Sequence, residues 1–224
     1  LNIKEDIFSS NNDAYKSIHF PASNTDFIKA KNRLVFEELL GLQLALFRLK
    51  EGQKFDEKGI KFDSNVKMQD VIETLPFNLT NAQKRVLDEI DIDMEKDTAM
   101  NRLLQGDVGS GKTIISFIAC LINLSCGYQS AILAPTEVLA NQHYNNFISL
   151  FPDIKVKLLT SNTSAKERKL IIEELSTNKI DVLIGTHSII SDDIKFNNVG
   201  LVVTDEQHRF GVNQRKALQN KGNN

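Results

Sequence analysis

The run Gly106-Asp107-Val108-Gly109-Ser110-Gly111-Lys112-Thr113 constrains this chain more than any other eight residues. It follows a short apolar stretch, Leu103 and Leu104, and precedes a longer one from Ile114 to Leu124. The glycines let the backbone fold back tightly enough for successive N–H groups to converge as an anion nest. A helix starting behind the loop adds the positive end of its dipole. GxxxxGK[ST] between a strand and a helix is a phosphate loop, which places the chain among α/β folds. Gly106, Asp107, Gly109, Ser110, Gly111, Lys112 and Thr113 are therefore expected to hold a nucleoside triphosphate. In that arrangement Lys112 reaches the β/γ-phosphates and the Thr113 hydroxyl ligates Mg²⁺.

The 224 residues leave room for one large domain, or one domain and an appendage. The net charge of −2 gives no global electrostatic footprint for nucleic acid. That argues against a passive DNA-coating protein but not against a motor, which grips a few phosphates locally and must release them. No apolar run approaches the ~20 residues needed to span a bilayer. The first residues carry neither the basic nor the apolar part of a signal peptide. Cys120 and Cys126, six residues apart on one helix, point to opposite sides and suit a reducing cytoplasm. The expected location is the cytosol, with no membrane partner. The chain begins without Met and ends in a polar tail, and reads as a piece of something longer.

Residues 1–75 and 76–224 differ in character. In the first stretch, apolar positions from Ile28 to Leu49 recur at helical spacing. They predict one amphipathic helix from about Thr25 to Lys50, capped by Thr25 or Ser23, serving as a linker that buries one stripe. From residue 76, short apolar runs alternate with helical patterns. Strands are predicted at Arg102–Gln105, Ala131–Ala134, Val156–Thr160, Asp181–Gly185 and Val199–Thr204, and helices at about 80–94, 112–126, 137–150, 164–177 and 209–219. Short apolar strands separated by helices imply a parallel sheet covered on both faces.

The last predicted strand runs into Asp205-Glu206-Gln207-His208. An apolar strand ending in Asp-Glu delivers two carboxylates to the sheet's carboxyl edge, beside the phosphate loop. Asp205 is placed to hold Mg²⁺, and Glu206 to orient the attacking water. An Asp-Glu pair found alone is more often a solvated turn; the phosphate loop a hundred residues upstream favours the catalytic reading.

The Asp-Glu-Gln-His tetrad resembles that of superfamily-two DExx/H helicases and translocases, and further segments extend the likeness. Phe77-Asn78-Leu79-Thr80-Asn81-Ala82-Gln83 resembles the Q motif, which implies that Gln83 reads adenine. Ala134-Pro135-Thr136-Glu137 resembles motif Ia and Gly185-Thr186-His187 motif Ib. This implies nucleic-acid phosphate contacts at Pro135, Thr136, Thr186 and His187. The phosphate-loop segment from Met100, the run Ala134–His143 and the run Asp205–Val212 are similar to the bacterial RecG helicase family. So is Ile18-His19-Phe20-Pro21 with Phe36-Glu37-Glu38-Leu39-Leu40, a segment that in that family links a wedge domain to the motor.

The resemblance covers about residues 18–220. It implies a RecA-like lobe (a P-loop NTPase) preceded by a helical linker, ATP and Mg²⁺ as cofactors, and branched or duplex DNA as partner. It implies Lys112, Asp205, Glu206 and His208 as catalytic residues, His208 coupling nucleotide state to the rest of the motor. The implied activity is ATP-driven remodelling of stalled forks and Holliday junctions in repair and recombination. Motif III, the second RecA-like lobe with its arginine fingers and the wedge all fall outside the sequence, so the isolated fragment is expected to hydrolyse ATP negligibly.

Other readings stay open. A transcription-repair coupling translocase shares much of the phosphate-loop and Arg209-Phe210-Gly211-Val212 pattern. A small-molecule kinase, or a nucleotide-sensing module without catalysis, would also carry a phosphate loop. Of the remaining residues, His143 and His19 are expected to be structural or at the surface, with Gln142 and His143 exposed. Lys166, Arg168 and Lys169 are expected on a solvated helix face. Arg209 and Arg215 are expected in salt bridges or against the second lobe, and Thr160 and Ser161 are minor phosphate candidates.

Overall fold

Side-chain caps decide where most of the helices begin. The structure, a computed structural model, describes residues 10–56, 59–62 and 68–206. Helix α1 (Asn11–His19) starts where the Asp13 N–H donates to Ser10 Oγ, and α2 (Asn24–Asp56) where the Asp26 N–H donates to Ser23 Oγ. A short α3 (Met68–Glu73) precedes α4 (Asn81–Met94), which opens on a reciprocal box. There the Gln83 N–H donates to Thr80 Oγ1 and the Thr80 N–H donates to Gln83 Oε1. Thr136 caps α6 (Glu137–Leu150) by accepting from the Leu139 N–H, and Ser164 caps α7 (Ala165–Ser176) by accepting from the Glu167 N–H. Helix α5 (Lys112–Ser125) is the exception. Its N-cap is Gly111, in the left-handed region at φ 82°, with no side-chain cap. Its first-turn N–H groups are the orphans that an anion can satisfy.

Four parallel strands form the sheet: β1 (Gln129–Leu133), β2 (Val156–Leu159), β3 (Val182–Gly185) and β4 (Val199–Thr204), in the order β2-β3-β1-β4. Leu133 pairs with Gly185 and Thr204, and Gly185 with Leu159, so all four carboxyl ends meet at one edge. The pleat sends alternate residues to opposite faces. Ile132, Val182, Ile184 and Leu201 join a core with α3, α4 and α5, closed by Phe147 and Phe151. Ala131, Leu133 and Leu183 join a second core with Ile171 and Leu175 of α7 and Ile189 of a 3₁₀ turn (His187–Ile190). Covering both faces explains the continuous apolar runs. Buried Cys120 and half-buried Cys126 are both free thiols.

One predicted strand is absent. Residues 101–106 have no regular structure, and among the described residues no strand pairs with the outer side of β4. The Arg102 guanidinium is held on α4, donating to Glu89 Oε2 at 2.7 Å and to Asp93 Oδ2 at 2.6 and 2.8 Å. Leu103 stays 67% exposed. This local anchoring replaces the ladder that apolar character alone predicted. The predicted helix 209–219, with Arg209 and Arg215, lies outside the described residues.

The chain divides into two compact units, Leu1–Glu57 and Lys58–Asn224. In the first, α1 and α2 pack together, with Ala14 and Ala30 buried. The α2 stripe expected to be buried is open to solvent over Ile28, Val35, Leu39, Leu42 and Leu46. In the second, Phe62, Met68 and Val71 belong to the core of the sheet, so the packed unit reaches back before residue 76.

Candidate nucleotide site and nucleic-acid edge

Parallel pairing brings four chain segments to the carboxyl edge: Pro135-Thr136 after β1, Thr160-Ser161-Asn162 after β2, Thr186-His187 after β3 and Asp205-Glu206 after β4. Ligands bind at this edge in open α/β sheets, because strand ends there hand over to loops and helix N-termini. The phosphate loop lies beside it. A cavity of about 1060 Å³ is lined by Gly106, Asp107, Lys112 and Thr113 on one side and by Asp205 and Glu206 on the other. Both halves of the site read from the sequence therefore face one space.

Within the loop, Gly109 and Gly111 both have φ 82°, the left-handed region that side chains avoid. The Ser110 N–H donates to the Asp107 carbonyl at 3.2 Å, closing the turn. The Lys112 ammonium donates to the Gly106 and Asp107 carbonyls, both at 2.8 Å. An amine held by two carbonyls of its own loop is poised over the nest, where an anion competes for the same N–H groups.

Gln83 reaches the same loop. Its Nε2 donates to the Ser110 carbonyl at 2.9 Å, while its Oε1 accepts from the Thr80 N–H. The side chain thereby joins the start of α4 to the phosphate loop. A Cβ on Gly111 would stand 2.3 Å from Gln83 Nε2 and push that amide off the loop, while φ 82° itself favours glycine there.

Across the cavity, the Asp205 N–H donates to the Leu133 carbonyl at 2.8 Å and extends the β1–β4 ladder by one bond. Glu206 follows at φ 51°, a left-handed conformation that turns the chain sharply at the carboxylate pair. His208 lies outside the described residues. The sequence reading also missed a partner. His143 of α6 is not exposed: it is buried at 7%, with Nε2 3.0 Å from Asp205 Oδ2. Helical spacing carried a signal, since Ala140, His143 and Phe147 fall on the buried face of α6.

Along the rest of the edge, Thr136 is exposed and its Oγ1 accepts from the Leu139 N–H, while Pro135 is half-buried. The Glu137 carboxylate accepts from Ser161 Oγ at 2.5 Å and from Asn162 Nδ2, tying the α6 N-terminus to the loop after β2. Thr186 is buried at 2%, with its hydroxyl 3.4 Å from Ser188 Oγ, whereas His187 is exposed. These four candidate phosphate contacts do not line the nucleotide cavity. Arg168, expected on a solvated face, binds Asp193 at 2.8 to 3.1 Å and Ser191 at 2.7 Å.

The donor set suits Mg²⁺. Among the described residues no three His, Cys, Asp or Glu side chains gather as a self-sufficient metal cage. Mg²⁺ takes hard oxygen ligands, commonly one or two from protein with the remainder from phosphate and water. Thr113 and Asp205, both on the cavity wall, supply that kind of set.

The DEAD/DEAH box helicase family model matches residues 80–222, which include the Q-motif glutamine, the phosphate loop and the Asp-Glu pair. The chain belongs to the DEAD/DEAH box helicase family. Within the family, it is 47% identical over 212 residues to the ATP-dependent DNA helicase RecG of Bacillus subtilis, covering 93% of this chain and 31% of the relative. The RecG of Streptococcus pneumoniae is 42% identical, over 94% of this chain and 32% of its own length. The chain thus spans about a third of the relatives it matches. Among solved structures, RecG bound to a three-way DNA junction superposes with a TM-score of 0.80 at 45% identity, over 89% of this chain and 28% of that one. The UvsW helicase of bacteriophage T4, at TM-score 0.55 and 18% identity, shares the fold. The RecA-like parallel sheet with helices on both faces agrees with the expected fold class.

Proposed function

We propose that this chain is the first motor lobe, with its helical linker, of an ATP-dependent DNA helicase that remodels branched DNA. The observation that carries the reading is the convergence of Lys112, Thr113, Asp205 and Glu206 on one cavity. The loop N–H groups and the α5 N-terminus bind phosphate, and Lys112 leaves its two carbonyls to meet negative charge. Asp205 and Thr113 would hold Mg²⁺, which when bound neutralises phosphate charge. Glu206, turned toward the cavity, orients the attacking water. Gln83 ties the start of α4 to the phosphate loop through Ser110.

Branched DNA enters through the relatives. The RecG proteins are named as ATP-dependent DNA helicases, and one RecG structure holds a three-way junction. The ends of motifs Ia and Ib, Thr136 and His187, would meet backbone phosphates, a reading supported by their exposure. We place a second RecA-like lobe with arginine fingers, and a wedge that selects the branch, in the natural protein beyond this chain, in line with the greater length of the relatives. The isolated chain then hydrolyses ATP at a negligible rate.

Two variants of the full-length protein test the site. Lys112→Ala should lose nucleotide affinity, whereas Glu206→Gln should bind nucleotide normally and lose on the order of 10²-fold or more in turnover. Full ATPase activity in both would overturn the assignment.

A further inference from the structure

His143 is a buried polar side chain that the phosphate-binding machinery leaves unexplained. It projects from the middle of α6 between two elements of the nucleotide site. Its ring stands edge-on to Phe117 of α5, with centroids 6.3 Å apart and planes at 84°. Its Nε2 lies 3.0 Å from Asp205 Oδ2. Its Nδ1 is buried with no hydrogen-bond partner among the described residues. A carboxylate can only accept. Nε2 is therefore the donor in this contact with Asp205 Oδ2. One carboxylate oxygen of Asp205 is committed to the ring, while the side chain remains 34% exposed toward the cavity.

We infer that His143 is a positioning residue for Asp205: it fixes the rotation of the carboxylate so that its other oxygen faces the Mg²⁺ of the bound nucleotide. The inference rests on the nucleotide-site reading above. The geometry matches the way hydrogen-bonded neighbours orient metal-binding carboxylates elsewhere. Phe117 packs edge-on against the ring, which is itself buried. On this reading the imidazole acts through Asp205, which it contacts directly. It is carried by the same helix whose first residue, Glu137, holds Ser161 and Asn162 at the DNA edge.

The test uses the full-length protein and Mn²⁺ as the metal probe. Mn²⁺ affinity is read by electron paramagnetic resonance with a non-hydrolysable ATP analogue present. Affinity for the same analogue in EDTA is measured alongside. His143→Leu removes the donor while keeping the volume, and should weaken Mn²⁺ roughly 10- to 100-fold. Metal-free nucleotide affinity should stay unchanged. His143→Gln can present an N–H near the position of Nε2 and should restore most of the Mn²⁺ affinity. His143→Asn, one methylene shorter, should not restore it, and this pair keeps the test decisive if His143→Leu fails to fold. Wild-type Mn²⁺ affinity in the Leu or Asn variant overturns the inference, as does a Gln variant as weak as Asn. A wild-type protein that binds no nucleotide at all would overturn the nucleotide site itself, and the inference with it.

Discussion

Replacing Gln129 by Leu removes a knot of hydrogen bonds at the end of the sheet opposite the nucleotide site. Gln129 opens β1 and is 1% exposed. Its Nε2 donates to the Leu175 carbonyl at 3.0 Å and to the Ile180 carbonyl at 2.8 Å. Its Oε1 accepts from the Asn197 and Asn198 N–H groups at 2.9 and 3.1 Å. One amide thus ties the end of α7, the turn into β3 and the turn into β4 to β1. Leucine fills similar space and satisfies none of them. The Leu175 carbonyl keeps the Asn178 N–H. The other three groups lose the bond that Gln129 supplied, at about 1–1.5 kcal/mol each for partly buried backbone, or about 3–4 kcal/mol in all. At roughly 2–4 °C per kcal/mol for a domain of this size, Tm should fall by about 10 °C. Thermal unfolding followed by circular dichroism reads the loss, and nucleotide affinity at a temperature where both proteins are folded should be unchanged. A shift below about 2 °C would refute the reasoning that these buried groups depend on the Gln129 amide.

Gly185→Ala should be severe, since a Cβ there would lie 2.0 Å from the Leu159 carbonyl oxygen in the paired strand. Separating β2 from β3 costs about 3 kcal/mol or more, and a stable, soluble variant by denaturant titration would contradict the register. Hydrogen bonds from Lys96 and then Arg102 hold the Asp93 carboxyl below its ordinary value of 3.8. A lowered folded value contributes stability above pH 4 that is lost as the pH falls through it. Arg102→Ala should therefore cost up to about 1 kcal/mol at pH 6 and progressively less as the pH falls below 4, read from urea midpoints; a cost that does not change with pH would contradict the ion-pair account.

How much of this could be read from residues alone follows the range of the forces involved. The phosphate loop, the Asp-Glu pair and the strand ends at 133, 159, 185 and 204 are local patterns, and periodicity located them within a residue or two. Arg102–Gln105 reads as a strand from its apolar character, whereas Arg102 is held by Glu89 and Asp93, side chains on another element that no local pattern reveals. His143 reads from the sequence as structural or exposed, with no sign of its partner, because Asp205 lies 62 positions away. Burial of that face of α6 was readable from its spacing, but the partner required the strand order. The Glu137 clamp on Ser161 and Asn162 escaped for the same reason. The α2 stripe shows the converse case: helical spacing of apolar residues announced a helix correctly without saying what covers it.

The central claim is that this lobe drives a motor stimulated by branched DNA. The most direct measurement is the ATPase rate of the full-length protein without DNA, with linear duplex, and with a synthetic fork or four-way junction. The account predicts low turnover without DNA and the strongest stimulation by the branched forms. Equal stimulation by linear duplex would contradict the branch preference, and no stimulation by any DNA would contradict the motor itself.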